Sequence, residues 1–291
     1  MKINEILKNK RTLSFETFPP KKGKEDLEKL KETLKELAKF NPDFISVTYG
    51  ALGTNSKDNI EISSFIKNEL NIEPLSHLTG GPSSKEDIIN VCEKLKANNI
   101  ENILALRGDK PIDSNVDYCK TFEHASDLMC FIKDKYDFNL AGACYPEGHV
   151  ECRSLHEDLI YMKKKEEAGA TFFITQIFFD NEYYYRLVNE ARKIGITSPI
   201  IPGIMPLTSP KSIEKTKSMC GSTIPLNYRN MLEFYMDKPK AFKELGYNYA
   251  VYQIMDLLAK GAPGIHLYVM NNATSAKEIV ERLENVIDEY F

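Results

Sequence analysis

Residues 12–50 read TLSFETFPPKKGKEDLEKLKETLKELAKFNPDFISVTYG, and they contain one repeat of the fold. TLSFETF (12–18) is an apolar, β-branched and aromatic run closed by Pro19-Pro20, the pattern of a buried strand running into a loop. KEDLEKLKETLKELAKF (24–40) carries leucines at 27, 30, 34 and 37 among lysines and glutamates, which makes a 3.6-residue stripe on a solvated helix. DFISVTY (43–49) is a second strand-sized run. Strand, helix and strand in that order predict a parallel βαβ unit.

The unit recurs. EPLSHLT (73–79), ENILALR (101–107), FNLAGACY (138–145), TFFITQIFF (171–179), SPIIPGIM (198–205) and GIHLYVM (264–270) are further strands. Helical stripes lie at 83–99, 125–136, 154–170, 181–195 and 274–291, the first opening on a Ser N-cap with acids in its first turn. Residues 207–262 are too long for one helix, and extra helices are expected near 227–236 and 247–260. Eight strands alternating with helices in 291 residues predict a (β/α)8 TIM barrel in the α/β class, as one domain over residues 1–291. A doubly wound sheet ranks second, because neither GxGxxG nor GxxxxGK[ST] follows any strand.

Composition narrows the function. The formal charge is −4, with 38 basic and 42 acidic residues spread along the chain. There is no basic stripe of the kind nucleic acid requires. The longest apolar runs are strand-sized, far short of a membrane span, and MKINEILKNKR lacks the apolar core of a signal peptide. A cytoplasmic protein is expected, free of membrane and nucleic acid. Cys92, Cys119, Cys130, Cys144, Cys152 and Cys220 form no CxxC pair, which points to reduced thiols. His149, Cys152 and His156, with Cys144 upstream, fit no standard zinc spacing, and no metal is expected.

A barrel places its active site at the C-terminal ends of its strands, and the polar residues gather there. The ends carry Glu16, Thr48-Tyr49-Gly50, His77-Leu78-Thr79, Arg107-Gly108-Asp109, Tyr145-Pro146-Glu147, Gln176 and Asn271-Asn272. Any one of these could merely cap neighbouring backbone. Glu16 and Asp109 resist that reading, since acids at the rim of an apolar barrel are costly unless paired or used. Glu16, between Phe15 and Phe18, is expected to have a raised pKa from desolvation, as a general acid needs at neutral pH. Arg107 offers a cation for phosphate or carboxylate. Gln176 is neutral and bidentate, suited to an amide or pterin-like edge.

SFETFPPK, ISVTYGA, LSHLT, NILALRGDKP, CYPEGH, KKKEEAGATFFITQIFFD, IIPGIMP and GIHLYVMN occur in order from about residue 13 to 272. Together they resemble methylenetetrahydrofolate reductase in its short, barrel-only form. The resemblance implies a flavin-dependent oxidoreductase that binds FAD without a Rossmann fold and takes electrons from NADH or NADPH. It implies a folate substrate, 5,10-methylenetetrahydrofolate, reduced to 5-methyltetrahydrofolate. Position by position, it makes Glu16 the acid that opens the folate's five-membered ring to an iminium. Asp109 becomes the negative charge near flavin and pterin, and Gln176 a pterin contact. Thr48, His77, Leu106, Arg107, Gly108, Asp109, Ala125, Ala143, Tyr145, His149, Asp158 and Lys165 match FAD-contacting positions. Ala125 follows His124, where the family often has Tyr.

The pattern also departs from the family. Counted without gaps from IIPGIMP, a stacking aromatic falls at Thr216 and a substrate-facing glutamine at Ser212, while LN-Arg at the last strand becomes MN-Asn, with Asn272 replacing a cation. NADH is then expected to bind weakly unless another aromatic, such as Tyr228 or Phe234 from the 207–262 insertion, swings over the flavin. These losses leave two alternatives to direct reduction by NAD(P)H. One is the same folate chemistry with electrons from an electron-transfer partner protein, and the other is a non-catalytic binding barrel. Retention of Glu16, Asp109 and Gln176 argues against the latter. A homo-oligomer is expected.

Overall fold

The computed structural model describes residues 1–20, 23–49, 56–108 and 121–291. The first half runs α1 (Ile3–Asn9), β1 (Thr12–Thr17), α2 (Gly23–Ala38), β2 (Phe44–Val47), α3 (Ser56–Asn68), β3 (Glu73–Thr79), α4 (Lys85–Ala97), β4 (Asn102–Leu106) and α5 (Ala125–Lys133). It continues with β5 (Asn139–Cys144), α6 (Leu155–Glu167), β6 (Ala170–Thr175), α7 (Asn181–Lys193), β7 (Ile200–Ile201) and β8 (Gly203–Ile204). After these come α8 (Pro210–Cys220), α9 (Leu226–Phe234), α10 (Pro239–Ala259), β9 (Gly264–Leu267), α11 (Ala273–Arg282) and α12 (Glu284–Tyr290).

The strands are parallel and ordered β7-β6-β5-β4-β3-β2-β1-β9-β8. β7 and β8 are two halves of one extended segment broken at Pro202, whose ring leaves no N–H for a ladder. The first half pairs with β6 and the second with β9, and the Pro202 carbonyl accepts from His266 N at 3.0 Å. The broken strand therefore closes the ring into the expected (β/α)8 barrel, with α8, α9 and α10 as the extra helices before the last strand.

Alternation along the strands sorts two cores. Leu13, Phe15, Ile45, Val47, Ile103, Phe173 and Ile265 belong to the layer between barrel and helices. Phe44, Leu75, Leu104, Ala141, Phe172, Ile174 and Ile201 fill the barrel interior, with Ile3 of α1 plugging the N-terminal end. The α1 plug is pinned by Ile3 N donating to Asn102 Oδ1 at 2.8 Å. Above these apolar layers the inward face turns polar, carrying Ser14, Ser46, His77 and His266, all buried. A third cluster (Ile177, Phe179, Leu207, Tyr228, Leu232 and Phe242) lies under the inserted helices.

Local signals account for most boundaries. Ser84 and Asp87 form a capping box at the start of α4, and Ser154 caps α6 by accepting from Glu157 N, both as their sequences predict. Four details differ. The helix α3 lacks a strong sequence signal, since SKDNIEISSFIKN is rich in β-branched and short polar residues; full burial of Ile62 and Ile66 stabilises it instead. The expected strand 171–179 stops at Thr175, because the Gln176 side chain accepts from Ile177 N at 2.8 Å and takes that donor from any ladder. The helix expected at 247–260 begins earlier, at Pro239, a favourable first-turn residue. The helix expected over 274–291 breaks at Leu283 into α11 and α12.

Candidate active site

Most described site residues expected from the sequence lie at the C-terminal end of the barrel or on the segment just after a strand, while Ala125 opens α5 and Asp158 and Lys165 lie on α6; Asp109 lies outside the described residues. Two groups form. The first surrounds Glu16 near the barrel axis. Glu16 is in register with Ser46 of β2, so both side chains leave the sheet on the same face. Its side chain keeps 18% of its surface exposed, but the carboxyl itself is buried, and burial pushes its pKa up to about 8, with the Ser46 hydroxyl opposing the shift. Nε2 of His77 stands 3.8 Å from Glu16 Oε2. Burial pulls the pKa of His77 down to about 3, so at neutral pH an uncharged imidazole faces a protonated carboxyl. This contact is not an ion pair.

Tyr268 forms part of the floor. Its hydroxyl donates to the Thr175 carbonyl at 2.7 Å, and its ring occupies the space a Cβ on Gly203 would need, 2.4 Å from the ideal position. Thr48 follows β2, its N–H donating to Thr17 O at 2.9 Å and its carbonyl accepting from Asn59 Nδ2 at 3.2 Å. Asn59, fully buried, also accepts from Ser76 Oγ at 2.6 Å and so ties the ends of β2 and β3 together.

The second group lies at the ends of β4, β5 and β6. Lys165 on α6 donates to the Ala143 carbonyl at 2.8 Å, and burial lowers its pKa while neighbouring Asp158 opposes the shift. Asp158 is buried, and burial raises its pKa while Lys165 and His149 hold it down. Asp158 Oδ2 accepts from His149 N at 3.2 Å. The His149 ring lies edge-on to Tyr145, with centroids 4.6 Å apart. Arg107 pairs with Glu151 at 2.5 Å, and Gly108 turns the chain at φ +86°, a region that favours glycine. Leu106 ends β4, packed on the barrel interior, and Ala125 opens α5, buried. The N–H of Gln176 donates to the Cys144 carbonyl at 2.8 Å, which places Gln176 at the ends of β5 and β6.

His149, Cys152 and His156 do not converge. His149 Nδ1 accepts from Glu151 N at 3.1 Å and His156 is exposed on α6. Among the described residues, no group of three His, Cys, Asp or Glu side chains is arranged to hold a metal ion. Cys92, Cys130, Cys144, Cys152 and Cys220 are free thiols, and Cys119 lies outside the described residues. Among the described residues, no helix is long and apolar enough to cross a membrane.

The sequence profile described as Methylenetetrahydrofolate reductase matches residues 2–284. The chain belongs to the methylenetetrahydrofolate reductase family. It is 36% identical over 302 aligned residues to "Methylenetetrahydrofolate reductase (NADH) 1" of Arabidopsis thaliana, an alignment covering 99% of this chain and 51% of that protein. The chain thus spans about half the length of that plant relative. It is 34% identical over 271 residues to the 5,10-methylenetetrahydrofolate reductase of Escherichia coli K12, covering 93% of this chain and 90% of that one. Among solved structures, an uncharacterized Clostridium thermocellum protein that binds two copies of 5-methyl-5,6,7,8-tetrahydrofolic acid has the same fold, with a TM-score of 0.66 over 98% of both chains at 16% identity.

Within the family, this chain's departures have structural counterparts. Thr216 is buried on α8, its hydroxyl donating to Ser212 O at 2.8 Å. Tyr228, one of the two aromatics that would have to swing over the flavin for tight NADH binding, is core. It is 1% exposed and stacked on Tyr249 with centroids 3.6 Å apart. Phe234 is 66% exposed and lies under the Lys238 ammonium. Asn272 caps α11 by accepting from Ser275 N.

Sequence reasoning missed the role of Asn271. At φ +55°, its amide accepts from Thr17 Oγ1 at 2.7 Å and Phe18 N at 3.0 Å, and donates to Phe18 O at 2.8 Å. It acts as a side-chain rung that extends the β1–β9 ladder past its last pair, Phe15 and Leu267, and fixes the backbone just beyond Glu16. The signal was the Met270-Asn271 pair, since Asn tolerates the left-handed region. Asn271→Leu should lose about 1–3 kcal/mol of stability. Asn271→Asp should also destabilise, because a carboxylate cannot donate to Phe18 O. An unchanged urea midpoint in both would show that the rung carries no stability.

Proposed function

We propose that this chain reduces 5,10-methylenetetrahydrofolate to 5-methyltetrahydrofolate, with FAD as resident cofactor and NADH or NADPH as electron donor. The observation that carries the reading is a carboxyl held protonated at the mouth of a barrel of this family: Glu16, with a pKa near 8. Residues 1–291 are taken as one catalytic unit. The name of the Arabidopsis relative includes NADH, which favours that donor.

The residues present suit FAD. His77 Nε2 and Thr79 Oγ1, at the end of β3, are buried with no protein partner, a state that calls for a polar ligand. Arg107 and Lys165 bring positive charge to the ends of β4 and β5, where phosphates would be neutralised. Thr48, His77, Leu106, Gly108, Ala125, Ala143, Tyr145, His149 and Asp158 would complete the surface around the cofactor. When bound, FAD would accept hydride from the nicotinamide and pass it to the folate methylene carbon.

The chain's own work is acid catalysis and orientation. Glu16 would give its proton to a ring nitrogen of the folate as the nitrogen–methylene bond breaks, leaving a cationic iminium. Gln176 would orient the pterin, and Asp109 would stabilise the cation. Glu16 must be protonated to act, so the folate step should be flat below pH 8 and fall about tenfold per unit above it. A profile flat through about pH 10 would remove Glu16 from that role.

Burial of Tyr228 and Thr216 favours a second reading, in which electrons reach the flavin through a partner protein. Colour separates the readings. A yellow protein bleached by NADH or NADPH supports direct transfer, and a yellow one that neither bleaches supports the partner. A colourless chain that takes up no FAD defeats both.

A further inference from the structure

We propose that Glu147 is a positioning residue for the cofactor loop, holding it to the inserted helices through the backbone of Thr223. The functional meaning rests on the FAD reading above, but the tether does not. Residues 145–149, between β5 and α6, place Tyr145 and His149 on either side of Glu147. The loop turns tightly where Gly148 N donates to Tyr145 O at 3.0 Å. It is fastened on one side where Asp158 of α6 accepts from His149 N at 3.2 Å.

Glu147 reaches elsewhere, across 76 residues of sequence. Its carboxylate accepts from Thr223 N, at 3.0 Å through Oε1 and 3.2 Å through Oε2. Thr223 belongs to the connection between α8 and α9, residues 221–225, which is neither helix nor strand. Its N–H therefore has no ladder or helical carbonyl to meet, and the carboxylate takes that place.

The neighbours of Thr223 make the connection a fixed post. Ser222 is buried and donates to Ile177 O at 2.6 Å. Ile177 follows Gln176, whose side chain accepts from Ile177 N at 2.8 Å. Gly221 lies against Val150, since a Cβ placed on it would stand 3.3 Å from Val150 Cγ1. The buried Ser222 bond thus anchors the connection to the end of β6, and the Glu147 bond fastens the loop after β5 to that anchor. A carboxylate on a backbone N–H is a charge-assisted bond, stronger than a neutral one. Without it, Tyr145 and His149 gain freedom that FAD would have to remove on binding, and the lost pre-organisation appears as lost affinity.

Hydrogen exchange and FAD binding on the full chain test this. In the FAD-free wild type, the Thr223 amide should exchange at least about tenfold more slowly than an unprotected one, although the residue is exposed. Exchange at the unprotected rate would overturn the proposal without any variant. Glu147→Ala should speed exchange at Thr223 and across 145–149. It should also raise the FAD dissociation constant, read from flavin fluorescence, about three- to tenfold. Glu147→Gln keeps an acceptor oxygen and should recover most of the affinity. Thr223→Pro deletes the donor, so adding it to Glu147→Ala should cost no more than the worse single variant. Losses that add, or a lower melting temperature with unchanged FAD affinity, would reduce Glu147 to a loop cap. If the wild type takes up no FAD, the exchange rates still decide the tether and the functional reading fails alone.

Discussion

Glu16→Gln should reduce the folate step by about 10²–10⁴-fold, the usual contribution of a positioned general acid, while the flavin still binds and still accepts electrons. Gln preserves shape and hydrogen bonding but has no proton to give. The substitution should also alter stability in a pH-dependent way. The folded pKa of Glu16, about 8, lies above its ordinary value of 4.5. The stabilisation from holding the proton is therefore complete below pH 4.5 and is lost as pH rises through 8. Relative to wild type, Glu16→Gln should gain a few kcal/mol between those limits, because its amide never ionises. A variant with near wild-type folate turnover and an unchanged stability profile would make Glu16 an ordinary strand-end residue.

Gly246→Ala should destabilise the fold by about 1–3 kcal/mol or more, against the roughly 1 kcal/mol gain that helix propensity alone assigns to this change inside a helix. The two expectations have opposite signs. Gly246 is buried within α10, and a Cβ there would stand 2.0 Å from the Leu207 carbonyl oxygen and 2.7 Å from its carbon. Those are backbone atoms, which cannot rotate away. The contact seats α10 on the segment leaving β8, so the same substitution should loosen the inserted helices beside the site. A higher melting temperature for Gly246→Ala would show that α10 does not rest on Leu207.

The barrel was legible because its signals are local. The leucine stripe of α2, the Ser84 and Ser154 caps and the apolar strand runs each act over a few residues. Glu16 was legible for a related reason, since a carboxylate between Phe15 and Phe18 before Pro19-Pro20 announces desolvation. What escaped depends on distant partners. Nothing in SKDNIEISSFIKN shows that Asn59 will bridge β2 and β3, and nothing in Tyr228 shows that Tyr249 will stack on it. Ser14, Ser46 and His266 read as unremarkable strand residues until register sets them side by side on the inward face. Asn271 was noticed as a strand-end polar group, but its partner is Phe18, across the chain's two ends.

The most direct measurement of the central claim avoids the electron donor altogether. The FAD-loaded chain, chemically reduced in the absence of oxygen, is mixed with 5,10-methylenetetrahydrofolate while flavin absorbance and folate products are followed. The account predicts rapid recovery of the oxidised flavin spectrum with one equivalent of 5-methyltetrahydrofolate, and loss of both in Glu16→Gln. Flavin that stays reduced in wild type, with the folate unchanged, would contradict it.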